Sequence, residues 1–113
     1  MASNILPTAH LTPEITLIPA IKAWKIYLDD QGRSPHTLKA FSADVRLLAK
    51  YLPPDRTLGS LTTLELNGFL EWLQSGRGVP CSPKTLARRI TSLKSFFRWL
   101  HEHGVLLINP AER

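Results

Sequence analysis

Apolar residues recur along most of the chain at steps of three and four residues, which is the period of an amphipathic α-helix. In the first such stretch Ile18, Ile21 and Leu28 share one face, and Gly32 follows as a typical stop signal. The pattern therefore predicts a first helix over residues 17–31.

Two further helices begin with the same signal, a serine followed by a proline. Ser34 and Ser82 suit the N-cap, where a side-chain hydroxyl accepts from a free backbone N–H group. The prolines that follow suit the first helical position, where a missing N–H costs nothing. We predict helices over residues 34–52 and 82–103. The starts of the two helices are similar because both are amphipathic helices with the same cap, so no common ancestry is needed to explain the similarity. The similarity also suggests that the domain presents the N-terminal turns of both helices in the same way.

A shorter third helix is predicted between these two. Thr62 or Thr63 is a suitable N-cap, and apolar residues continue at helical spacing to Leu73 before Gly76 and Gly78 end the pattern. No stretch alternates apolar and polar residues as an exposed strand does. The sequence predicts an all-α fold, a small bundle of four main helices.

The remaining segments divide the chain into three parts. Residues 1–16 are rich in proline and threonine without a sustained period, and we expect a flexible arm. Residues 17–104 hold the helices and have the size of one domain. Residues 105–113 contain the turn signal Asn109-Pro110 and read as the start of a linker.

Composition argues against several classes of protein. The single cysteine, Cys81, cannot form an internal disulfide and has no local pattern of a nucleophile. No apolar run approaches the roughly 18 residues that span a bilayer, and no signal peptide is recognisable. The histidines lack metal-ligand spacing, and Tyr27 and Tyr51 read as core or boundary aromatics. We expect a soluble cytoplasmic protein with no membrane partner, no metal and no cofactor.

Positive charge is concentrated on two of the predicted helices. The formal net charge is +5; residues 34–52 carry three basic side chains against one acidic, and residues 82–103 carry five against one. These basic residues lie opposite the apolar stripes, among small residues such as Ala43 and Ala87. Lysine and arginine neutralise DNA phosphates, and small side chains let a helix come close to the duplex. For a single helix, an ordinary polar outer face would be the better explanation, but two basic helices in an otherwise neutral domain favour a nucleic-acid partner.

Three motifs carry a resemblance to a known family. Residues 82–100 contain an arginine pair and a Phe-Phe-Arg-Trp-Leu end, residues 34–38 with Phe41 and Asp44 form a second motif, and residues 109–111 read Asn-Pro-Ala. In this order they resemble the core-binding domain of Xer-like tyrosine recombinases, of the phage integrase family. Phe41 stands where that family commonly has tyrosine.

The resemblance implies a SAM-like helical domain that grips double-stranded DNA with its second and fourth helices. By match of position it places seven residues at or near the DNA, to which the charge pattern adds Arg46 and Lys84. The predicted contacts are Thr37, Lys39, Arg46, Lys84, Thr85, Arg88, Arg89, Ser92 and Lys94.

The resemblance also implies what this stretch lacks. The family's nucleophilic tyrosine and its other catalytic residues belong to a separate domain, which we expect to follow Arg113. We therefore expect no enzyme activity from this chain alone, and we expect it to be a monomer in isolation. We expect the full-length parent protein to be associated with the nucleoid in the cytoplasm and to form contacts between protomers on DNA. A helical protein-interaction domain is the alternative, because one fold hosts many functions. An exposed apolar patch would favour it, and a continuous basic face would favour DNA.

Overall fold

The computed structural model describes residues 11–78 and 81–112. Its α-helices are α1 Leu17–Asp30, α2 Pro35–Tyr51, α3 Thr63–Glu71 and α4 Pro83–Glu102. A 3-10 turn, Leu58–Ser60, lies between α2 and α3. No strand occurs within these ranges, where Thr16 and Thr57 form an isolated bridge. The prediction of an all-α fold with four main helices is confirmed. Among residues 11–78 and 81–112, none of the helices combines the length and the hydropathy that a membrane span requires.

The helices α2 and α4 begin as the sequence predicts. The Ser34 hydroxyl accepts from the Thr37 backbone N–H at 3.1 Å, and the Ser82 hydroxyl accepts from that of Thr85 at 3.2 Å. A proline occupies the first turn of each helix. Caps of this kind contribute about 1 kcal/mol each, so the starts of both helices are determined by local sequence.

Thr62 is the cap of α3. Its hydroxyl accepts from the Glu65 backbone N–H at 3.1 Å, and its own backbone N–H donates to the Glu65 carboxylate at 3.3 Å. This reciprocal arrangement satisfies two otherwise free donors. The helix continues as a π-helical turn, Trp72–Gly76, so that it ends at the predicted glycine.

Aromatic side chains fill the space where α1, α2 and α4 meet. Trp24 is fully buried, stacks on Phe41 with ring centroids 6.1 Å apart, and meets the edge of Phe96 at 5.2 Å. Trp99 is also buried and packs on Tyr27 at 5.5 Å. Such pairs add about 0.5–1.5 kcal/mol beyond the burial of their area. These aromatics belong to the core and its boundary, which is the place predicted for Tyr27.

The helices α2 and α4 run in opposite directions. Phe41 and Phe96 both contact Trp24. Asp44, one turn later on α2, contacts Ser92 and Arg88, which lie one and two turns earlier on α4. The N-terminal turns of the two helices therefore lie at opposite ends of the pair, and the suggestion that both are presented in a similar way is wrong.

The segments that flank the helices also contact the bundle. The backbone N–H of Leu58 donates to the Ile15 carbonyl at 2.8 Å, and the Thr63 hydroxyl donates to the Pro110 carbonyl at 2.8 Å. Val105 and Leu106 are buried. Residues 1–10 of the predicted arm lie outside the described residues, and the division into arm, domain and linker stays a prediction.

Candidate nucleic-acid interface

A basic stripe runs along the outer side of α2. Lys39, Arg46 and Lys50 are exposed and share one side of the helix, with the exposed Ala43 between them. None of the three cations forms an ion pair with another residue of the described ranges. Their charges are therefore available to an external anion.

A second basic stripe runs along α4. Lys84, Arg88 and Arg98 are exposed on one side of this helix, and the small exposed residues Ala87 and Thr91 lie among them. This is the combination of cations and small side chains that lets a helix approach a duplex closely. Both sequence-predicted stripes are thus on the surface.

An open cleft of about 440 Å³ lies between the two stripes, and basic residues from both stripes line it. Arg46 and Lys50 of α2 and Arg88 and Arg89 of α4 line it, and Asp44 lies at its base. The basic surface is therefore continuous from α2 to α4. This continuity is the feature that we expect of a DNA-binding domain.

Asp44 is the centre of a polar cluster that holds α2 to α4. Its side chain is 1% exposed. Arg88 donates to both carboxylate oxygens, from Nε at 3.0 Å and from Nη2 at 2.5 Å. The Ser92 hydroxyl donates to the same carboxylate at 2.7 Å. The hydrogen bond to Asp44 raises the pKa of Arg88, against the opposing effect of its partial burial. A buried carboxylate needs such partners, because an unpaired buried charge is very costly.

Arg89 closes the cluster on the other side. Its Nε lies 3.9 Å from the Asp44 carboxylate, and its Nη1 donates to the Cys81 sulfur at 3.4 Å. The Arg89 side chain is only 15% exposed. Cys81 thus has a neighbour that its local sequence does not suggest. Within the described ranges, no group of three or more histidine, cysteine or acidic residues is placed to hold a metal ion.

The structure corrects the predicted contact set at one position. Ser92 is fully buried and its hydroxyl is engaged by Asp44, so the expectation that it faces DNA is wrong. Ser92 is surrounded by basic residues in the sequence, but it lies on the side of α4 that packs against α2 and is buried there. Arg89 is mostly enclosed by the same cluster.

The other predicted contacts lie at or near the surface, and their role in binding stays a prediction. Lys39, Arg46 and Lys84 are exposed. Thr37 and Thr85 are half-buried, and each hydroxyl accepts from its capping serine at 3.0 Å. Lys94 is half-buried and lines a small cleft between α3 and α4, on the flank of the α4 stripe.

The sequence did not indicate that Asp44 is the centre of the polar cluster, nor that Arg33 lines the surface near α4. Asp44 lies three residues after Phe41 and four before Leu48, on the apolar side of its helix, and an acid in such a position signals a buried partner. Arg33 lines a cleft of about 380 Å³ with Arg98, beside α1 and α4. No local pattern around Arg33 indicates this, because it lies in the turn between α1 and α2.

Three large apolar side chains are exposed outside the cleft between α2 and α4. Leu64, Leu107 and Ile108 are 79%, 91% and 80% exposed. The last two line an apolar cleft of about 390 Å³, which shares no lining residue with the cleft between α2 and α4. This surface is the feature that the protein-interaction alternative requires.

Comparison with known proteins agrees with the helical architecture. The family model for the phage integrase N-terminal SAM-like domain matches residues 21–104. The chain is 35% identical to the tyrosine recombinase XerD of Listeria innocua over 81 residues, which are 72% of this chain and 27% of that protein. It is 37% identical to the tyrosine recombinase XerC of Chromobacterium violaceum over 92 residues, 81% of this chain and 29% of that protein.

A mycobacterial relative shows the same coverage. The chain is 39% identical to the tyrosine recombinase XerC of Mycobacterium tuberculosis over 82 residues, and these residues make up 73% of this chain and 27% of that protein. The chain thus spans little more than a quarter of the length of these curated relatives. No solved structure matches it. With most of its helical part matched by the family model, the chain belongs to the phage integrase family through an N-terminal SAM-like domain.

Proposed function

We propose that this domain binds double-stranded DNA across α2 and α4, as the core-binding domain of a site-specific tyrosine recombinase. The observation that carries the proposal is the continuous basic face, in which Arg46 and Lys50 on α2 share one cleft with Arg88 on α4. The names of its relatives, tyrosine recombinases, support the same assignment.

Binding of this kind rests mainly on phosphate neutralisation. The uncompensated cations on α2 and α4 replace counterions along the DNA backbone, so affinity falls steeply as salt concentration rises. Single DNA-binding modules bury only about 600–1,000 Å² of protein surface. We therefore expect weak, salt-sensitive binding by the isolated domain, with higher affinity when a second domain holds the same duplex.

The proposal assigns no catalytic step to this domain. Tyr27 packs on Trp99, and Tyr51 packs on Phe69 and Trp72, which makes both tyrosines parts of aromatic clusters. Recombination or integration would then require catalytic groups from another domain, while this domain holds the DNA. We propose a monomer for the domain alone and a place on the nucleoid in the cytoplasm for the full-length parent.

An NMR titration of the isotope-labelled domain with a short duplex, at two salt concentrations, tests the proposal. We expect shifts confined to α2 and α4 that shrink at the higher concentration. The variant Lys39→Gln/Arg46→Gln should reduce the shifts. Its control, Lys22→Gln/Lys25→Gln, removes the same charge from exposed positions of α1 and should leave them unchanged. Equal reduction in both variants would mean that net charge, not this face, attracts the DNA.

A second candidate function is protein binding through the apolar surface at Leu64, Leu107 and Ile108. Their exposure is the observation that favours it. It predicts that the duplex causes no shifts even at low salt, and that replacing Leu107 and Ile108 by serine abolishes binding of a partner protein. The same titration therefore separates the two candidates.

A further inference from the structure

We infer that Asp44 is a positioning residue for DNA recognition, which presents the outer edge of the Arg88 guanidinium to a hydrogen-bond acceptor of the duplex. The inference rests on the proposed function, because it assigns a task to one part of the same face. It concerns a residue that does not itself touch DNA. The donors that Arg88 leaves unused inside the protein are its physical basis.

Arg88 uses only part of its hydrogen-bonding capacity inside the protein. A guanidinium carries five N–H donors, and Asp44 accepts from Nε and from one side of Nη2. Within the described ranges no acceptor engages Nη1. The Arg88 side chain is 48% exposed and lines the cleft between the stripes. The unused edge carries paired donors, the geometry that suits two phosphate oxygens or the edge of a guanine.

The carboxylate that holds Arg88 is itself firmly held. Asp44 is almost fully buried on α2, and Ser92 of α4 donates to it at 2.7 Å. Arg89 lies beside it as a second cation. An exposed arginine loses much side-chain freedom when it binds. Two hydrogen bonds to a fixed carboxylate restrict Arg88 beforehand, so less freedom is lost when it meets DNA.

The inference makes a prediction opposite to that of net charge. Asp44→Asn removes one negative charge from the face, and electrostatics alone then predicts tighter binding of a polyanion. Positioning predicts weaker binding, because Arg88 is released from its fixed orientation. A matched control is Glu71→Gln, which makes the same change of charge at an exposed position of α3.

The experiment measures the dissociation constant of a fluorescently labelled duplex by anisotropy, at a temperature where circular dichroism shows every variant folded. We expect Asp44→Asn to weaken binding about tenfold, the usual effect of removing one arginine–DNA interaction. Glu71→Gln should bind as tightly as the wild type or slightly more tightly. Arg88→Lys keeps its charge but not the paired donors, and it should weaken binding like Asp44→Asn. The double variant should bind no more weakly than either single variant.

The outcomes separate this inference from the proposed function. Binding by Asp44→Asn that equals or exceeds that of Glu71→Gln overturns the positioning role and leaves DNA binding intact, as do additive effects in the double variant. A wild-type domain without salt-sensitive binding overturns the proposed function itself. If Asp44→Asn does not fold, Arg88→Lys and Ser92→Ala decide, because unchanged affinity in both overturns the inference.

Discussion

Five of the basic residues of α2 and α4 form two groups with different surroundings. Lys39, Arg46 and Lys50 are exposed and form no ion pair in the described part of the chain. Arg88 and Arg89 lie against the buried carboxylate of Asp44. Both groups count equally toward net charge, yet only the first is wholly free to neutralise phosphates. Local charge density thus indicates which helices face an anion, but not which cations are available to it.

The second group has a structural task as well. A buried ion pair gains little over apolar packing, but removing one partner leaves an uncompensated charge and is strongly destabilising. Charge alone predicts that Arg88→Ala/Arg89→Ala weakens DNA binding, because fewer phosphates are neutralised. Because the same change removes both cations from Asp44, the stability of this variant must be measured before any change in affinity is interpreted.

The largest expected effect is on stability, at the buried member of the cluster. Asp44→Ala should lower the free energy of unfolding by about 3–5 kcal/mol, because it leaves the largely enclosed Arg89 without its counter-charge and the buried Ser92 hydroxyl without its acceptor. Urea denaturation followed by circular dichroism measures this. Asp29→Ala, at an exposed position of α1, is the control and should change stability by less than about 0.5 kcal/mol. Similar values for both variants would show that the cluster does not hold the helices together.

Removal of the unpaired cations of α2 should have the opposite effect, changing DNA binding and not stability. Lys39→Gln/Arg46→Gln/Lys50→Gln should leave stability nearly unchanged and reduce the slope of log affinity against log salt by about 0.9 for each phosphate that is no longer neutralised. Anisotropy titrations over a range of salt concentrations measure the slope. An unaltered slope would place the DNA elsewhere on the domain and end the distinction between the two groups.

A finer test removes a hydrogen bond from the cluster without changing charge. Ser92→Ala should cost about 1.5 kcal/mol of stability, the value for a hydrogen bond to a charged group. Ser95→Ala, one turn of helix away and half-buried, is the matched control. We expect thermal unfolding to show a lower midpoint only for Ser92→Ala, and equal midpoints would argue that Asp44 is satisfied without it.

The smallest effect concerns an ion pair at the surface, Arg56 with Glu65. The hydrogen bond from Arg56 holds the pKa of Glu65 below its ordinary value. A carboxyl with a lowered pKa in the folded state adds stability above its unfolded pKa and loses it as pH falls through the folded value. Since both side chains are partly exposed, this contribution is about 0.5 kcal/mol.

The variant Glu65→Gln isolates this contribution. It should be less stable than the wild type at pH near neutral, and the difference should vanish in acid, below the pKa of the folded state. Urea denaturation at both pH values measures it. A difference that persists in acid would assign it to the capping box with Thr62 instead.

The helices, their starts and the location of the excess charge follow from local features of the amino-acid sequence. Ser34, Thr62 and Ser82 act as caps through hydrogen bonds to residues three positions away, and helical periodicity is equally local. The same local motifs carried the family resemblance, which the match over residues 21–104 confirms. These features need no knowledge of which elements become neighbours.

Which cations are already paired with a carboxylate of the protein depends on how the helices pack. Asp44 and Arg88 are 44 positions apart, and Arg33 joins Arg98 through packing of α1 on α4. Helical periodicity shows that Ser92 lies close to the border between faces, but the approach of α2 buries it. Hydrogen bonds between distant residues depend on how helices pack, and packing depends on the whole set of apolar faces at once. For that reason the stripes were predictable from the chain, whereas the carboxylate beneath them was not.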